Sequence, residues 1–228
     1  MQGLVRIAAP APFELWLADL HDSPTEAQLS VLSDAERERA ARFVFERDRR
    51  RYCAAHCALR QLLATRTTLP AGQLVFLEGP FGKPSLGHDA ACAFNLSHSA
   101  DMALVALAEA GEIGVDLEIL RPMPDAIDLA RHNFSAPENA ELAATPVQDQ
   151  SLAFLLGWTR KEACLKAIGS GLSIAPNTFT AGLGMQPRSV AIATPDGTAC
   201  VQVHSFRHGS GIVGSLARVE RWRPRDPV

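Results

Sequence analysis

The sequence lacks the features of a membrane, nucleic-acid-binding or disulfide-rich protein. No apolar run approaches the roughly 20 residues that a bilayer-spanning helix needs. The formal net charge is -3 and aromatic residues make up 6%, so a basic surface with interleaved aromatics is missing. The five cysteines are odd in number and form no CxxC pair. We therefore expect a reduced, cytoplasmic protein that binds neither nucleic acid nor membrane.

The N-terminus and the clustered cysteines carry no clear targeting or metal signal. Residues 1–20 contain acids and prolines rather than a basic start and an apolar stretch, so we expect no signal peptide. Cys53, His56 and Cys57 lie close together on a predicted helix, which could suggest a metal site. We favour small residues buried on an apolar face, the usual role of free cysteine.

The pattern of helices and strands predicts an α+β fold. The chain has 228 residues, of which 47% are hydrophobic, enough for one large domain or two small ones. Ser33 and Glu36 form a capping box before a helical stretch, and strands follow at 93–97 and 102–108. Helical stretches at 125–142, interrupted near Pro137, and at 152–168 again precede short strands, and we expect the Pro- and Arg-rich tail from residue 221 to be loose. We predict two subdomains, residues 1–112 and 113–228.

A predicted strand at 113–119 carries two acids on one face. Neighbouring residues of a strand point to opposite sides, so Asp116 and Glu118 share a side with Gly114, which leaves room beside them. Two carboxylates on one open face repel each other unless a cation or protons intervene. Mg²⁺ is usually bound by one or two carboxylates with substrate phosphate and water. Solvated acids on an exposed edge are the alternative.

The predicted helix at 152–168 carries further charged residues, a glutamate and two lysines. Glu162 and Lys166 are four residues apart and therefore share a face. A surface ion pair is one interpretation. In the other, Glu162 is a third metal ligand or a general base, and Lys161 and Lys166 hold phosphate oxygens.

Two loops offer further polar groups. Asn95, Ser97 and His98 lie at the end of a predicted strand, a common place for ligand contacts. A hydrolase is disfavoured because adjacent strand residues point apart and no G-x-S-x-G elbow is present. The turn at 82–84 presents Lys83 without forming a Walker loop, so an ordinary surface turn is also open.

Arginine is concentrated in one stretch, residues 34–51. The seven are Arg37, Arg39, Arg42, Arg47, Arg49, Arg50 and Arg51. Five acids in the same stretch leave it only mildly basic, which fits a salt-bridged, solvated helix. The alternative is a phosphate clamp, because guanidinium forks bind phosphate bidentately.

In this order, the motifs resemble the Sfp-type 4′-phosphopantetheinyl transferases. The resemblance extends from about residue 33 to residue 172, and its most specific parts are FNLSHS at 94–99, GVDLE at 114–118 and WTRKEACLK at 158–166. It implies a monomer of two similar α+β subdomains related by a pseudo-twofold axis, with coenzyme A and the active site in the cleft between them. The N-terminal subdomain would bind coenzyme A, and the C-terminal one would hold Mg²⁺.

The resemblance also assigns roles to residues. It implies Asp116, Glu118 and Glu162 as Mg²⁺ ligands, with Glu162, Lys166 and Asp116 catalytic. The implied coenzyme A contacts are Arg39, Arg47, Arg51, Gly82, Lys83, Pro84, Asn95, Ser97, His98, Asp116, Lys161 and Lys166. Among these, Lys161 and Lys166 would meet the pyrophosphate, and His98 with Arg47 or Arg51 the 3′-phosphate. Some members carry lysine where this chain has Glu36, which shifts the clamp toward Arg39, Arg47 and Arg51.

The implied reaction moves the phosphopantetheine arm of coenzyme A onto a serine of an apo acyl or peptidyl carrier protein and releases 3′,5′-ADP. Glu162, directly or through a bound water, is the expected base. The segment 126–142, including Phe134, is a candidate carrier contact. Peptide-synthetase, polyketide and fatty acid carriers all remain open, with a preference for secondary metabolism. A metal-dependent phosphodiesterase that acts on holo carrier and a non-catalytic coenzyme A-binding protein are the alternatives.

Overall fold

The computed structural model describes residues 3–10, 12–87 and 92–224. The chain divides into two compact units, one formed by Met1–Glu78 with Pro84–Ala110 and the other by Gly79–Lys83 with Gly111–Val228. The predicted α+β class is confirmed, since each unit combines helices with an antiparallel sheet. The sequence did not anticipate that the loop Gly79–Lys83 belongs with the second unit. Within the described ranges, no helix has both the length and the apolar character needed to cross a bilayer.

The first unit is built on a four-stranded sheet in the order β1-β2-β6-β5. Its elements are β1 (Leu4–Ile7), β2 (Glu14–Asp19), α1 (Glu26–Leu29), α2 (Asp34–Ala41), α3 (Glu46–Ala64), β3 (Phe76–Glu78), β4 (Pro84–Leu86), β5 (Ala93–Ser99) and β6 (Met102–Ala108). Strands β3 and β4 form a separate two-stranded hairpin. The short strand β1, which pairs with β2, was not predicted.

Capping and apolar spacing explain the helices of this unit. The Ser33 hydroxyl accepts from the Glu36 amide, and the Glu36 carboxylate accepts from the Ser33 amide, so the predicted capping box at α2 is confirmed. On α3, Leu59 and Leu63 are fully buried against Val105 of the sheet. Strand β6 lies between β2 and β5, and its nearly continuous apolar sequence is buried on both faces.

The second unit has a four-stranded antiparallel sheet in the order β7-β10-β9-β8. Its elements are β7 (Ile113–Ile119), α4 (Ala126–Asn133), α5 (Ala136–Ala144), α6 (Val147–Ile168), β8 (Arg188–Thr194), β9 (Gly197–His208) and β10 (Ile212–Pro224). Single 3₁₀ turns at Gly171–Ser173 and Pro176–Thr178 follow α6.

Helix α6 is the core of the second unit. It ends at Gly169, whose φ of 69° is the left-handed conformation typical of a helix C-terminus. Ala163 and Ala167 pack against the sheet, while Phe154 packs against Phe134 on another side. No residue in 154–167 is exposed, so the predicted amphipathic helix is buried over most of its surface.

The predicted interruption of the helical stretch at 125–142 is confirmed: the stretch is two helices, broken at Ser135, whose side chain and Glu138 form a second capping box. Two other predictions for this half need correction. The last strands are long, with 12 residues in β9 and 13 in β10, rather than short. The tail predicted to be loose from residue 221 is paired with β9 through residue 224; residues 225–228 lie outside the described range.

Candidate functional site

A close approach of helix α6 to strand β7 creates the acidic site of the second unit. A Cβ atom added at Gly114 would lie less than 3.0 Å from the backbone oxygen of Ala163 and the backbone nitrogen of Ala167. Only glycine allows this contact, because any side chain would displace the helix backbone. The face predicted to be open is therefore covered by α6. Asp116, two residues further along that face, is buried.

The covered face joins the predicted strand acids to the predicted helix charges. The Lys166 ammonium donates to Asp116 Oδ1 at 2.7 Å, and the Asp116 side chain is only 8% exposed. Glu118 accepts from the Arg121 guanidinium at 3.0 Å and is also largely shielded. Strand and helix together thus hold carboxylates and an ammonium in a small space.

Glu162 is electrostatically coupled to both strand acids. Burial raises the pKa of the Glu162 carboxyl above its ordinary value, and the positive charge of Lys166 opposes that rise. The negative charges of Asp116 and Glu118 add to it. Such coupling requires proximity, so the three predicted carboxylates lie in one neighbourhood. A raised pKa favours protonation, a property expected of a group that accepts a proton in a reaction.

The donor set suits a hard divalent cation. All three side chains offer carboxylate oxygens, the ligands that Mg²⁺ prefers, and their mutual repulsion is the kind that a cation relieves. Among the described residues, no group of three or more histidine, cysteine, aspartate or glutamate side chains is arranged so that it could hold a metal ion by itself. Mg²⁺ commonly needs only one or two protein carboxylates beside substrate phosphates and water, so the residues fit an open site.

Lys161 is a structural residue, contrary to the predicted pyrophosphate contact. Its side chain is fully buried and its ammonium lies 2.7 Å from Glu138 Oε2. It also donates to the carbonyl oxygens of Pro176 and Phe179, at 2.7 and 2.6 Å. An ammonium has three donors, and all three are used here. The structure therefore does not support a phosphate contact for Lys161.

The partner of Lys161 organises the segment after α6. Glu138 is fully buried and, through its second oxygen, accepts from the amides of Ala181 and Gly182 at 2.8 and 2.9 Å. Burial alone would raise the pKa of the Glu138 carboxyl, but the hydrogen bond and charge of Lys161, with the hydrogen bonds from Ser135, outweigh burial and lower this pKa. Sequence reasoning missed Glu138, although its S-x-x-E spacing from Ser135 is a visible capping signal.

Phe134, predicted as a carrier contact, is buried. It is 2% exposed and stacks on Phe154 with ring centroids 5.1 Å apart. Gly157 lies against the same ring, because a Cβ there would come within 3.0 Å of it. Phe134 thus belongs to the core and does not offer a contact surface.

Lys83 joins its loop to the two elements of the acidic site. Its ammonium donates to the Ala167 carbonyl oxygen near the end of α6 at 2.8 Å and to Glu112 Oε2 at 2.6 Å. Glu112 immediately precedes β7. In the structure, the Lys83 charge is therefore directed at the protein, and the coenzyme A contact predicted for this residue stays a prediction.

A second candidate site lies in the first unit, around the arginines of α2 and α3. A pocket of about 470 Å³ is lined by Arg39, Arg51 and His98, with the aromatic side chains of Tyr52 and His56. His98 with Arg47 or Arg51 was predicted to meet the 3′-phosphate, and Arg39 was predicted to belong to the same phosphate clamp. Arg47 is not among the lining residues; its side chain is 64% exposed and pairs with the adjacent Asp48. Of the two arginines left open by the sequence, the structure thus favours Arg51.

Asp101 fixes Arg51 in this pocket. Its carboxylate accepts from Arg51 Nε at 2.9 Å and Nη2 at 3.0 Å, a bidentate pair. It also accepts from Arg50 Nη2 at 2.6 Å. The Arg51 hydrogen bond, with smaller help from Arg50, holds the pKa of Asp101 at about 2 despite some desolvation. No motif signalled Asp101, since its partners are about fifty residues away in sequence.

Strand β5 sends its predicted site residues to two different faces. Phe94 and Leu96 pack toward α3, and His98 follows them at the alternating spacing to line the arginine pocket. Asn95 and Ser97 lie on the other face and are buried, at 4% and 5% exposure. Ser97 and His98 therefore lie on opposite faces of β5.

Glu36 supports the helices instead of binding phosphate. Its carboxylate caps α2 and pairs with His56 Nδ1 at 2.9 Å and with Arg60 Nε at 2.7 Å. Arg60 is fully buried and also donates to the carbonyl oxygens of Ala71 and Leu74. An acid at position 36 thus balances a buried guanidinium that the sequence analysis did not identify.

Comparison with known proteins matches both halves of the chain to one family. The profile described as 4′-phosphopantetheinyl transferase superfamily matches residues 112–210, and the profile described as 4′-phosphopantetheinyl transferase, N-terminal, matches residues 19–110. The chain is 38% identical over 164 residues to the 4′-phosphopantetheinyl transferase HetI of Nostoc sp. (strain PCC 7120), covering 70% of this chain and 69% of HetI.

Two Bacillus proteins match over more of their length. The 4′-phosphopantetheinyl transferase psf-1 of Bacillus pumilus is 32% identical over 198 residues, which cover 85% of this chain and 83% of the relative. The 4′-phosphopantetheinyl transferase Sfp of Bacillus subtilis is 27% identical over 192 residues, 84% of each chain. The extent and identity of these matches show that this chain belongs to the 4′-phosphopantetheinyl transferase family.

Proposed function

We propose that the protein transfers the 4′-phosphopantetheine arm of coenzyme A to a serine of an apo carrier protein and releases 3′,5′-ADP. The observation that carries the proposal is the contact of α6 with β7 at Gly114, which gathers Asp116, Glu162 and Lys166. The family membership and the names of the relatives support the same reaction class.

Asp116, Glu118 and Glu162 are proposed to hold Mg²⁺. The cation would neutralise charge on the pyrophosphate of coenzyme A, which is the main requirement of phosphoryl transfer. Lys166 is proposed to place its ammonium beside the same phosphates, since it already lies against Asp116 and is 29% exposed. Its positive charge then stabilises the negative charge that develops on the leaving 3′,5′-ADP.

The proton of the attacking serine is proposed to go to Glu162. The serine oxygen forms a bond to the β-phosphorus of coenzyme A, the bond from that phosphorus to the bridging oxygen breaks, and that oxygen leaves with 3′,5′-ADP. Glu162 is proposed to accept this proton directly or through a bound water. Asp116 accepts a hydrogen bond from the Lys166 ammonium, so we do not propose it as the proton acceptor.

The nucleotide end of coenzyme A is proposed to use the pocket of the first unit. Arg39, Arg51 and His98 would meet the 3′-phosphate. The Arg39 guanidinium can bind phosphate oxygens in pairs, whereas Arg51, whose Nε and Nη2 are bonded to Asp101, would contribute mainly its positive charge. Gly82, Lys83 and Pro84, with Asn95 and Ser97, are proposed to complete the coenzyme A site.

We place the protein with the Sfp-type transferases that serve secondary metabolism. The matches to psf-1 and Sfp extend over more than four fifths of this chain, which supports that subtype. HetI and the AcpT proteins of Salmonella match at higher identity over shorter stretches. The carrier protein that this chain modifies is therefore to be identified by experiment. All five cysteines are free, in keeping with a reducing, cytoplasmic setting, and we propose a monomer.

Mass spectrometry of apo carrier proteins distinguishes this function from its rivals. A panel of peptide-synthetase, polyketide and fatty acid carriers is incubated with the protein, coenzyme A and Mg²⁺. We expect one or more carriers to gain the mass of the arm, and the Asp116→Asn variant to add none. Loss of that mass from holo carrier would indicate a phosphodiesterase. Coenzyme A binding with no change in any carrier, holo or apo, would indicate a non-catalytic module.

A further inference from the structure

A row of three hydroxyl groups, those of Thr159, Ser215 and Ser205, crosses the second unit beside the acidic site. Thr159 of α6 and Ser215 of β10 are fully buried, and their hydroxyl oxygens are 2.9 Å apart. The Ser215 hydroxyl also lies 3.1 Å from that of Ser205, its cross-strand partner on β9. Arg160, the residue after Thr159, donates through Nη1 to Ser205 Oγ at 3.0 Å. The hydroxyl row therefore links one turn of α6 to two strands of the sheet.

The direction of each hydrogen bond in the row follows from the protons available. The Arg160 guanidinium can only donate, and the Thr159 hydroxyl donates its single proton to the Leu156 carbonyl oxygen at 3.0 Å. Ser215 must therefore donate to Thr159, and Ser205 must donate to Ser215. Each hydroxyl gives one hydrogen bond and receives one, from a cation at one end to a helix carbonyl at the other. Because all the bonds run in one direction, they polarise one another, and removal of one hydroxyl leaves its neighbour without a partner.

The hydroxyl row lies next to two of the proposed Mg²⁺ ligands. Ser215 is the cross-strand partner of Asp116 in the β10–β7 pairing, so their side chains share the face that α6 covers. Thr159 precedes Glu162 by three residues and Ala163 by four, which places all three on one side of α6. Ala163 makes the close contact with β7 described above. The Thr159–Ser215 bond thus joins helix and sheet within about one helical turn of the acids.

Around the hydroxyl row, α6 meets the sheet through apolar side chains. Ala163, Leu165 and Ala167 share a buried cluster with residues such as Val203 of β9 and Ala217 of β10. Apolar packing is non-directional, whereas a hydrogen bond weakens steeply as its geometry departs from the optimum. A misplacement of about 1 Å at a reacting group can cost about a hundredfold in rate. The row therefore adds the directional contact that packing alone lacks.

We propose that Thr159 and Ser215 are positioning residues, whose hydrogen bond fixes α6 on the sheet and so sets the place of Glu162 relative to Asp116. The inference rests on the proposed function, because its effect is expected at the proposed Mg²⁺ site. Neither Thr159 nor Ser215 is proposed to touch the metal or coenzyme A. A role in stability alone would be met by apolar side chains of the same shape, which are often neutral or stabilising in place of a buried polar pair.

Thr159→Val removes the hydroxyl and keeps the shape of the side chain, whereas Thr159→Ser keeps the hydroxyl. With coenzyme A and an apo carrier, we expect kcat to fall about tenfold or more in Thr159→Val and to stay within about threefold of the original in Thr159→Ser. Mn²⁺, which prefers oxygen ligands as Mg²⁺ does, is the metal probe. Its Kd, measured by electron paramagnetic resonance with coenzyme A and without carrier, should rise about tenfold in Thr159→Val only.

The double variant Thr159→Val with Ser215→Ala separates positioning from stability. Only Ser205 then keeps its hydroxyl, which is partly exposed and can donate to water. Urea unfolding should therefore show a smaller loss of stability than in Thr159→Val, while kcat and Mn²⁺ affinity stay low. If Thr159→Val does not fold, the double variant gives the same comparison with the original chain.

Ile192→Val is the matched control for a loss of packing in the same unit. Ile192 is fully buried in the cluster that packs on α6, but it lies on β8, two strands away from β10. Removal of one methylene there should destabilise the protein and leave kcat and Mn²⁺ affinity within about twofold of the original.

Unchanged kcat and Mn²⁺ affinity in folded Thr159→Val would overturn the positioning role. Recovery of both together with stability in the double variant would also overturn it, as would an equal loss in Ile192→Val. Failure of the original chain to modify any carrier would overturn the proposed function instead. The Mn²⁺ titration needs no carrier, so it decides on the positioning role in that case too, and absence of Mn²⁺ binding by the original chain would overturn that role.

Discussion

Two lysines of one motif, five residues apart on α6, have different environments. Lys166 is partly exposed and donates to Asp116, whereas Lys161 is fully buried and uses all three of its donors on the protein. Residue type and spacing could not distinguish the role of Lys161 from that of Lys166, because both lysines fit a helix that binds phosphate. The difference arises from Glu138 and the carbonyl oxygens of 176 and 179, which only the folded chain brings together.

Lys166→Gln tests the active member of the pair. Glutamine keeps a hydrogen-bond donor near Asp116 but removes the charge, so we expect kcat to fall by about a hundredfold or more. The free energy of unfolding should change by less than about 1 kcal/mol, as for a partly exposed ion pair. Kinetics with coenzyme A and an apo carrier, together with urea unfolding, measure both quantities. An unchanged kcat would remove Lys166 from the proposed mechanism.

Lys161→Met should affect stability more than catalysis, the reverse of the effect expected for Lys166→Gln. It leaves the buried Glu138 carboxylate without its cation, which we expect to cost about 3–5 kcal/mol in the free energy of unfolding. The double variant with Glu138→Gln should recover part of that loss, because no charge is then left unpaired. Urea denaturation of the single and double variants gives the comparison. A stable Lys161→Met protein with lost coenzyme A binding would restore the pyrophosphate contact that the geometry does not support.

At the scale of elements, the site depends on how closely a helix approaches a strand. Gly114→Ala would place a Cβ less than 3.0 Å from the α6 backbone, so helix and strand must separate. We expect a loss of about 1–3 kcal/mol in stability, as for overpacked cores, and a lower kcat because Asp116 and Glu162 move apart. Gly211→Ala is the control, since nothing lies within 4 Å of a Cβ there. Equal kinetics for both variants would contradict this role of Gly114.

Glu36 joins α2 to α3 and should make stability depend on acid. Burial alone would raise the pKa of Glu36, but the hydrogen bonds from His56 and the Ser33 amide and the charge of Arg60 outweigh it and lower the pKa from 4.5 to about 2. A lowered carboxyl pKa contributes stability that is complete above pH 4.5 and is lost as pH falls toward 2. The contribution is about 3 kcal/mol by linkage.

Glu36→Gln should therefore lose stability mainly at neutral pH and show a flatter dependence between pH 5 and pH 2 than the original chain. Urea unfolding at a series of pH values measures the slope. Parallel pH curves for the two proteins would show that Glu36 titrates alike in the folded and unfolded states.

Sequence periodicity could predict the helices and strands better than it could predict the tertiary contacts between them. The bounds of β6 and β7 and the capping box of α2 follow from local patterns, namely an apolar run, alternation and an S-x-x-E spacing. The covering of the Gly114 face, the burial of Phe134 and the role of Asp101 depend on partners distant in the chain. Local patterns contain no information on such partners, so the acidic residues were predictable while their neighbours were not.

At the scale of the whole molecule, the two units offer different chemistry for the coenzyme A that we propose as ligand. The first unit offers arginines and histidine in a pocket, and the second offers acids with Lys166. If the first unit holds only the 3′-phosphate, its variants should affect coenzyme A binding and not the chemical step. The matched ligand is dephospho-coenzyme A, which lacks that phosphate and is otherwise the same.

Arg51→Met is the variant that separates the two contributions. We expect the KM for coenzyme A to rise about tenfold or more, because a charge-assisted phosphate contact is lost, while kcat changes little. The KM for dephospho-coenzyme A should stay nearly the same, since the variant removes nothing that this ligand uses. Arg47→Met, at an exposed position outside the pocket, is the control and should leave both values unchanged. An equal loss for both ligands would show that Arg51 acts on another part of coenzyme A or on the fold, and the 3′-phosphate assignment would then fail.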